Sequence, residues 1–222
     1  MRDYLSVSNL GKALLLSALC TAASVPRIVV GGLNAWFFVP AAFLSLTLVA
    51  GVATAWSTCA GMAGLWPDRR RQLCGIGIAI LAALLMWPVA LKFDPVVRAA
   101  FAVRSDPHAL LLQYPDSAAG VASLVLWSMS FELLFFVAGS AAFFARLFNL
   151  KWAAIAGPVL ARVIVAHYQL TTGNITDTIP LILLSTGAMT AASCFLLSRF
   201  GLAAAAVFVA VMDSRLFFFR VN

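Results

Sequence analysis

The chain has 222 residues, of which 63% are hydrophobic and only 10% are charged, and its mean hydropathy is +1.00. Soluble globular domains carry about 45–50% apolar and about 25% charged residues, so the composition excludes that class as well as a disordered chain. The net charge of +7 is typical of basic residues that flank membrane spans, and we expect no nucleic-acid partner.

Apolar runs of membrane-spanning length follow one another along the whole chain. At about 20 apolar residues per crossing, they predict an all-α fold, a polytopic bundle of about seven to eight transmembrane helices in one integral membrane domain over residues 1–222. The cysteines are scattered, with no Cys-x-x-Cys or Cys/His cluster, and we expect no metal, cofactor or disulfide. The predicted spans are 12–32, 35–57, 73–91, 119–144, 152–170, 177–198 and 201–218.

A tight cationic loop, Asp68–Arg71, separates the second and third predicted spans and sets the orientation of the chain. Because basic loops remain in the cytoplasm, we expect a cytoplasmic N-terminus, with Arg146, Lys151 and Arg199 on the same side. We expect an integral protein of a bacterial inner membrane.

Two further features are expected at the membrane surface. Arg27 follows Pro26 inside the first predicted span, and we expect its long side chain to reach an interface. The segment from Lys92 to Ser117 is predicted to be a polar loop, with a short interfacial helix over Val96–Val103.

Four ionisable residues are expected near the bilayer centre, away from the ends of the predicted spans, and these are Glu132, Arg162, His167 and Asp213. An ionised side chain near the bilayer centre costs at least about 2.5–3.5 kcal/mol on insertion scales, so each one requires a partner or a function. All other acidic residues are placed in loops or at interfaces. The four residues therefore form the candidate site.

Glu132 is the only glutamate of the chain and lies near the middle of the fourth predicted span. Its side chain must face the interior of the bundle, with Ser128 one turn earlier on the same face. One interpretation makes Glu132 an acid or base of an enzyme. The other makes it half of a buried ion pair that joins two helices. Under both, we expect Glu132 within hydrogen-bonding reach of Arg162 or His167.

Arg162 and His167 share the fifth predicted span and stand five residues apart. At about 100° per residue their side chains point roughly 140° apart, so they cannot both face one partner squarely. Asp213 lies near the end of the seventh predicted span. It is either a residue of the site or the partner of the neighbouring Arg215.

Three short stretches of the C-terminal half resemble the motifs of a known family. They are Phe131–Phe136, Val163–His167 and Val209–Asp213, and they stand where the CPBP family has E-E-x-x-x-R, F-x-x-x-H and H-x-x-x-N or H-x-x-x-D. This family comprises the CAAX-protease and bacteriocin-processing relatives, which are intramembrane glutamic endopeptidases. The similar region covers about residues 121–215.

The resemblance implies that Glu132 and His167 activate a water molecule that hydrolyses a membrane-embedded peptide without a metal ion. Asp213 is then the remaining polar residue of the third motif, which in the family helps to stabilise the oxyanion. Only one of the two family glutamates is present. Phe136 stands in place of the family arginine, and Val209 stands in place of the second histidine.

Two functions follow from these residues. The first is a divergent intramembrane endopeptidase with Glu132, His167 and Asp213 as catalytic residues and Arg162 as a supporting residue. The second is a non-catalytic membrane subunit, assembly factor or binding module with a protease-like fold. A small transporter is a third interpretation, but the sequence has no inverted repeat. The expected partners are the lipid bilayer and a membrane peptide substrate or a partner membrane protein.

Overall fold

The structure of the protein is a computed structural model that describes residues 7–102, 112–171 and 179–218. Within these residues the regular structure is entirely helical and forms seven rods. The fourth rod changes from an α-helix to a π-helix and back again. The elements are α1 (Val7–Val30), α2 (Ala35–Trp56), a single 3₁₀ turn (Cys59–Gly61), α3 (Arg69–Ala102), α4 (Ala118–Trp127), π1 (Ser128–Gly139), α5 (Ser140–Phe148), α6 (Ala153–Thr171), α7 (Ile179–Phe200) and α8 (Leu202–Phe218).

Each predicted span corresponds to one rod, which confirms the all-α fold class. Five of the described helices are long and apolar enough to cross a membrane, judged by length and composition. A sixth helix, Ala153–Tyr168 in α6, is apolar but shorter. The five longer segments are Ser8–Val30, Ala35–Trp56, Arg69–Ala99, Ala118–Phe148 and Pro180–Phe200.

The third rod differs from its prediction. The sequence predicts a span that ends at residue 91, followed by a polar loop with a separate short helix, and that prediction is wrong. α3 continues without a break through Pro88 and Pro95 to Ala102. Prolines are tolerated in such helices because neighbouring groups can satisfy the freed backbone positions. Residues 103–111 of the predicted loop lie outside the described part of the chain.

The fourth rod, 118–148, is the centre of the bundle. It packs against α1, α2, α6, α7 and α8. A stripe of small residues, Ala138, Ala141, Ala142 and Ala145, is buried along it and lets neighbouring helices approach closely. Gly139 lies so close to α2 that an added Cβ atom would stand 2.2 Å from Cγ1 of Val49.

Hydroxyl groups join the helices around this rod. Thr47 donates to the hydroxyl of Ser17 at 2.9 Å, which links α2 to α1. The hydroxyls of Ser24 and Ser130 stand 3.3 Å apart and link α1 to π1. In an apolar bundle such hydrogen bonds help to hold the helices together, because apolar surroundings offer the hydroxyl groups no other partner.

The basic loops gather at one end of the bundle. Arg71 donates from its Nε to the carbonyl of Arg199, and Lys151 lies against Gly61. The loop after α2 is joined to α8 through a hydrogen bond from the Leu202 amide to the Leu65 carbonyl at 2.9 Å. Of the residues predicted to share the cytoplasmic side, Arg71, Lys151 and Arg199 therefore lie at one end of the fold.

We expect Gly139→Ala to destabilise the fold by about 1–3 kcal/mol, since the added methyl group overpacks the contact with the stiff Val49 side chain. The measurement is thermal unfolding of the purified protein in detergent micelles. Gly77→Ala in α3 is the matched control, because its added Cβ meets no atom within 4 Å. Equal unfolding temperatures for the two variants would contradict the close packing of π1 on α2.

Candidate functional site

Two adjoining cavities lie between the helices, at the end of the bundle away from the basic loops. The smaller, of about 310 Å³, is lined by five charged side chains and is called the charged cavity here; they are Arg27, Glu132, Arg162, Asp213 and Arg215. The larger, of about 490 Å³, is lined mostly by apolar residues of α3, π1 and α7 and is called the apolar cleft. The two cavities form one continuous site, because seven residues belong to both linings: Gln113, Tyr114, Ser128, Glu132, Arg162, Asp213 and Arg215.

Glu132 and Arg162 form an ion pair inside this site. Nη2 of Arg162 donates to Oε2 of Glu132 at 3.0 Å. The other carboxylate oxygen, Oε1, accepts a hydrogen bond of 3.3 Å from Nε1 of Trp127. The guanidinium of Arg162 also lies 4.2 Å above the ring centroid of Phe136. The expected partner of Glu132 is thus confirmed as Arg162.

The local backbone that carries Glu132 is unusual. Residues Ser128–Gly139 form a π-helix of 12 residues, whereas π-helices are rare and mostly occur as single-turn bulges, frequently at functional sites. On this wide helix Ser128 and Glu132 both line the charged cavity. The ring of Phe131 on this helix stacks on that of Trp127, the last residue of α4, with centroids 4.4 Å apart.

A second ion pair lies next to the first and is more deeply buried. Arg215 donates from Nε to Oδ2 of Asp94 at 2.8 Å and from Nη2 to Oδ1 at 2.7 Å. The Asp94 side chain is only 5% exposed and that of Arg215 13%. This bidentate geometry is the strongest that an arginine and a carboxylate can adopt. It joins α3 to α8.

Tyr114, in the connection before α4, completes the environment of Asp94. Its hydroxyl donates to Oδ1 of Asp94 at 3.3 Å. Burial, together with the neighbouring carboxylate, raises the pKa of the Tyr114 phenol above its ordinary value. The hydroxyl therefore stays protonated, and it remains a hydrogen-bond donor at neutral pH.

Asp213 lies beside the second ion pair. Its Oδ1 stands 3.7 Å from Nη1 of Arg215, and Ser128 lines the same cavity. Asp213 therefore lines the cavity and also contacts its neighbour Arg215. α8 contributes it to the same cavity as Glu132 from π1.

Arg27 is the residue of the site that the sequence misplaces. Its side chain does not reach an interface as predicted, because Arg27 is only 7% exposed and lines the charged cavity. Its Nη1 is buried without a hydrogen-bond partner among the described residues. Glu132 and Asp213 are the acidic groups that act on it electrostatically, but neither forms an ion pair with it.

His167 is the predicted site residue that the structure places apart from the others. It is exposed near the end of α6, and it is not among the residues that line either cavity. Arg162, five residues earlier on the same helix, faces Glu132. This agrees with the wide angle that the helical spacing predicts between the two side chains.

Asp94 and Arg27 are the residues that the sequence interpretation missed. Asp94 was expected in a loop, but it lies on α3 and is buried. The signal that identifies it is the apolar sequence on both sides, since Phe93, Val96 and Val97 allow the helix to continue. Arg27 carries the same signal as the other candidates, a charge within an apolar run.

Within residues 7–102, 112–171 and 179–218, no cluster of three or more His, Cys, Asp or Glu side chains is suited to hold a metal ion. No family model, no curated protein and no solved structure matches the chain.

We expect Asp94→Asn to lower stability by about 3–5 kcal/mol, because it strands the buried guanidinium of Arg215 without its anion. Glu132→Gln should cost less, since the Glu132 and Arg162 side chains are 33% and 24% exposed and the cavity lets water solvate a stranded charge. Thermal or denaturant unfolding in micelles measures both.

The control for this comparison is the double variant Asp94→Asn with Arg215→Gln. If the ion pair exists, the double variant is more stable than the sum of the two single losses predicts. Strictly additive losses, or a larger loss from Glu132→Gln than from Asp94→Asn, would contradict the geometry.

Proposed function

We propose that the chain is a polytopic integral membrane protein whose joined cavities bind an amphiphilic membrane molecule without cleaving it. In this proposal all seven rods cross the bilayer, which is a bacterial inner membrane. The basic end of the bundle and the N-terminus face the cytoplasm, as the distribution of basic residues favours.

The outer surface of the bundle supports the membrane location. Large apolar side chains are widely exposed on it, among them Trp36, Leu44 and Leu48 of α2 and Leu81 and Leu85 of α3. Apolar side chains of this size and number on the outside of a helical bundle need an apolar surrounding. A lipid bilayer supplies it.

The observation that carries the proposal of a binding role is the pairing of Glu132. Both of its carboxylate oxygens already accept hydrogen bonds from protein groups, Arg162 and Trp127. A general base needs a carboxylate oxygen directed at a water molecule that a second group also holds. His167, which the resemblance assigns to that second role, is not part of the cavity lining.

The combination of the two cavities supports an amphiphile as the ligand. The charged cavity offers arginines and carboxylates, and the apolar cleft beside it offers aliphatic and aromatic surface from α3, π1 and α7. A molecule with a polar head and an apolar chain fits both at once, because each part is transferred to a matching environment. Membrane lipids and membrane peptides with a charged residue have this chemistry.

A specific observation favours the second candidate, an intramembrane endopeptidase of the kind that the resemblance suggests. Two of the three motif residues, Glu132 and Asp213, do line one cavity, and Ser128 lines it with them. Hydrolysis would require that Glu132 exchange Arg162 for a water molecule when a peptide binds. The two candidates therefore differ in whether Glu132 is needed for turnover.

We expect no turnover by the wild-type protein above the background of Glu132→Gln, because the carboxylate is held by Arg162. The probes are a quenched-fluorescent peptide with a prenylated cysteine and a quenched-fluorescent transmembrane peptide, both in proteoliposomes. Cleavage that the wild type shows and Glu132→Gln loses would replace the binding proposal with the endopeptidase.

We expect Ala188→Phe to weaken binding of a dansyl-labelled fatty acid by about tenfold or more, because the larger side chain fills the apolar cleft that Ala188 lines. The readout is energy transfer from tryptophan to dansyl in micelles, since Trp127 stands at the charged cavity. A tenfold weaker affinity corresponds to a loss of about 1.4 kcal/mol of binding free energy.

Ala41→Phe is the matched control for the cleft. Ala41 is exposed on α2 and lines neither cavity, so this variant should bind the fatty acid as the wild type does. Identical affinities for all three proteins would show that the amphiphile binds elsewhere.

A further inference from the structure

One of the arginines of the charged cavity has no carboxylate partner of its own. Three arginines line this cavity, Arg27, Arg162 and Arg215, together with Glu132 and Asp213, and Asp94 adds a third carboxylate through its ion pair with Arg215. Arg162 is neutralised by Glu132, and Arg215 is held bidentately by Asp94 with Asp213 nearby. Arg27 is the arginine of the lining that has no ion pair among the described residues.

A buried, unpaired guanidinium is costly, and proteins retain such a group where a ligand completes it. Arg27 is more than nine-tenths buried, and Nη1 has no hydrogen-bond partner in the described part of the chain. The cavity beside it has a volume of about 310 Å³, which is enough for several water molecules. Space and an unsatisfied donor therefore occur together.

The chemistry of the donor indicates the class of ligand. A guanidinium is a planar, permanently charged fork of N–H donors that matches the paired oxygens of a phosphate or a carboxylate. The hydroxyl of Ser128 lines the same cavity and can complete the shell of such a group, whereas the hydroxyl of Tyr114 already donates to Asp94. Leu33, Leu112 and Leu216 border the same cavity and suit the apolar carbon atoms behind a head group.

We propose that the charged cavity is an oxyanion site, in which Arg27 binds the phosphate group of a ligand. The inference rests on the proposed binding function and specifies the head group that the site accepts. Arg162 and Arg215 act differently from Arg27, because their own carboxylate partners hold them in place around the incoming anion.

The test compares three probes on the purified full-length protein in micelles: phosphatidic acid, the diacylglycerol with the same acyl chains, and inorganic phosphate. We expect phosphatidic acid to raise the unfolding temperature and the diacylglycerol to leave it unchanged. A rise with inorganic phosphate alone identifies free phosphate as the source, and a rise with phosphatidic acid alone identifies a lipid head group; both support the oxyanion site.

The decisive variant is Arg27→Gln, which should bind the responsive probe at least about tenfold more weakly, as for a lost charge-assisted hydrogen bond. Without probe it should unfold at or above the wild-type temperature, because the substitution removes a buried charge and no ion pair. Arg27→Lys should bind with intermediate affinity, since a lysine keeps the charge but lacks the fork.

Arg146→Gln is the matched control, since Arg146 belongs to the last turn of α5 at the basic end and lines neither cavity. It should respond to the probe as the wild type does. A response to the diacylglycerol equal to that of phosphatidic acid, or an unchanged affinity in Arg27→Gln, would overturn the oxyanion site. In that case the Ala188→Phe result still decides the binding function separately.

Discussion

The Asp94–Arg215 ion pair holds the longest helix against the last one, and the charged cavity is built around it. Neither side chain has much access to solvent, so each depends on the other to offset the cost of losing water. Nearby, Nε1 of Trp87 donates to the carbonyl of Val211 at 3.0 Å and ties the same two helices together. Because Arg215 is held by Asp94, it takes a fixed position beside Asp213, and the lining of the cavity is fixed with it.

Other polar side chains inside the bundle are also paired with one another. Glu132 on π1 and Arg162 on α6 form an ion pair, and serine and threonine hydroxyls form hydrogen bonds between helices. Both oxygens of Glu132 and both oxygens of Asp94 already accept hydrogen bonds from the protein. Two buried side-chain groups of the described residues lack a hydrogen-bond partner, the hydroxyl of Thr21 and Nη1 of Arg27. Of these two residues, only Arg27 lines the charged cavity.

The positions of the rods could be predicted from the sequence, because each long apolar run by itself specifies a helix of membrane-spanning length. The Glu132–Arg162 pair could also be predicted, since a buried carboxylate needs a basic partner in a neighbouring span. The burial of Asp94 could not be predicted, because its partner is 121 residues away in the sequence and the apolar run before it ends at Lys92. The outward direction of His167 depends on how α6 is rotated against π1, which is set by packing and not by spacing.

The length of α3 determines how far Asp94 lies from the basic end of the bundle. With 34 residues and a rise of about 1.5 Å each, the helix is about 50 Å long, whereas the hydrocarbon layer of a bilayer is about 30 Å thick. A helix longer than the hydrocarbon layer must tilt or extend into the head-group region. Asp94 stands about 38 Å along it from Arg69. In an upright bundle anchored by its basic end, Asp94 and Arg215 therefore lie outside the hydrocarbon layer, level with the ester and phosphate groups of the opposite leaflet.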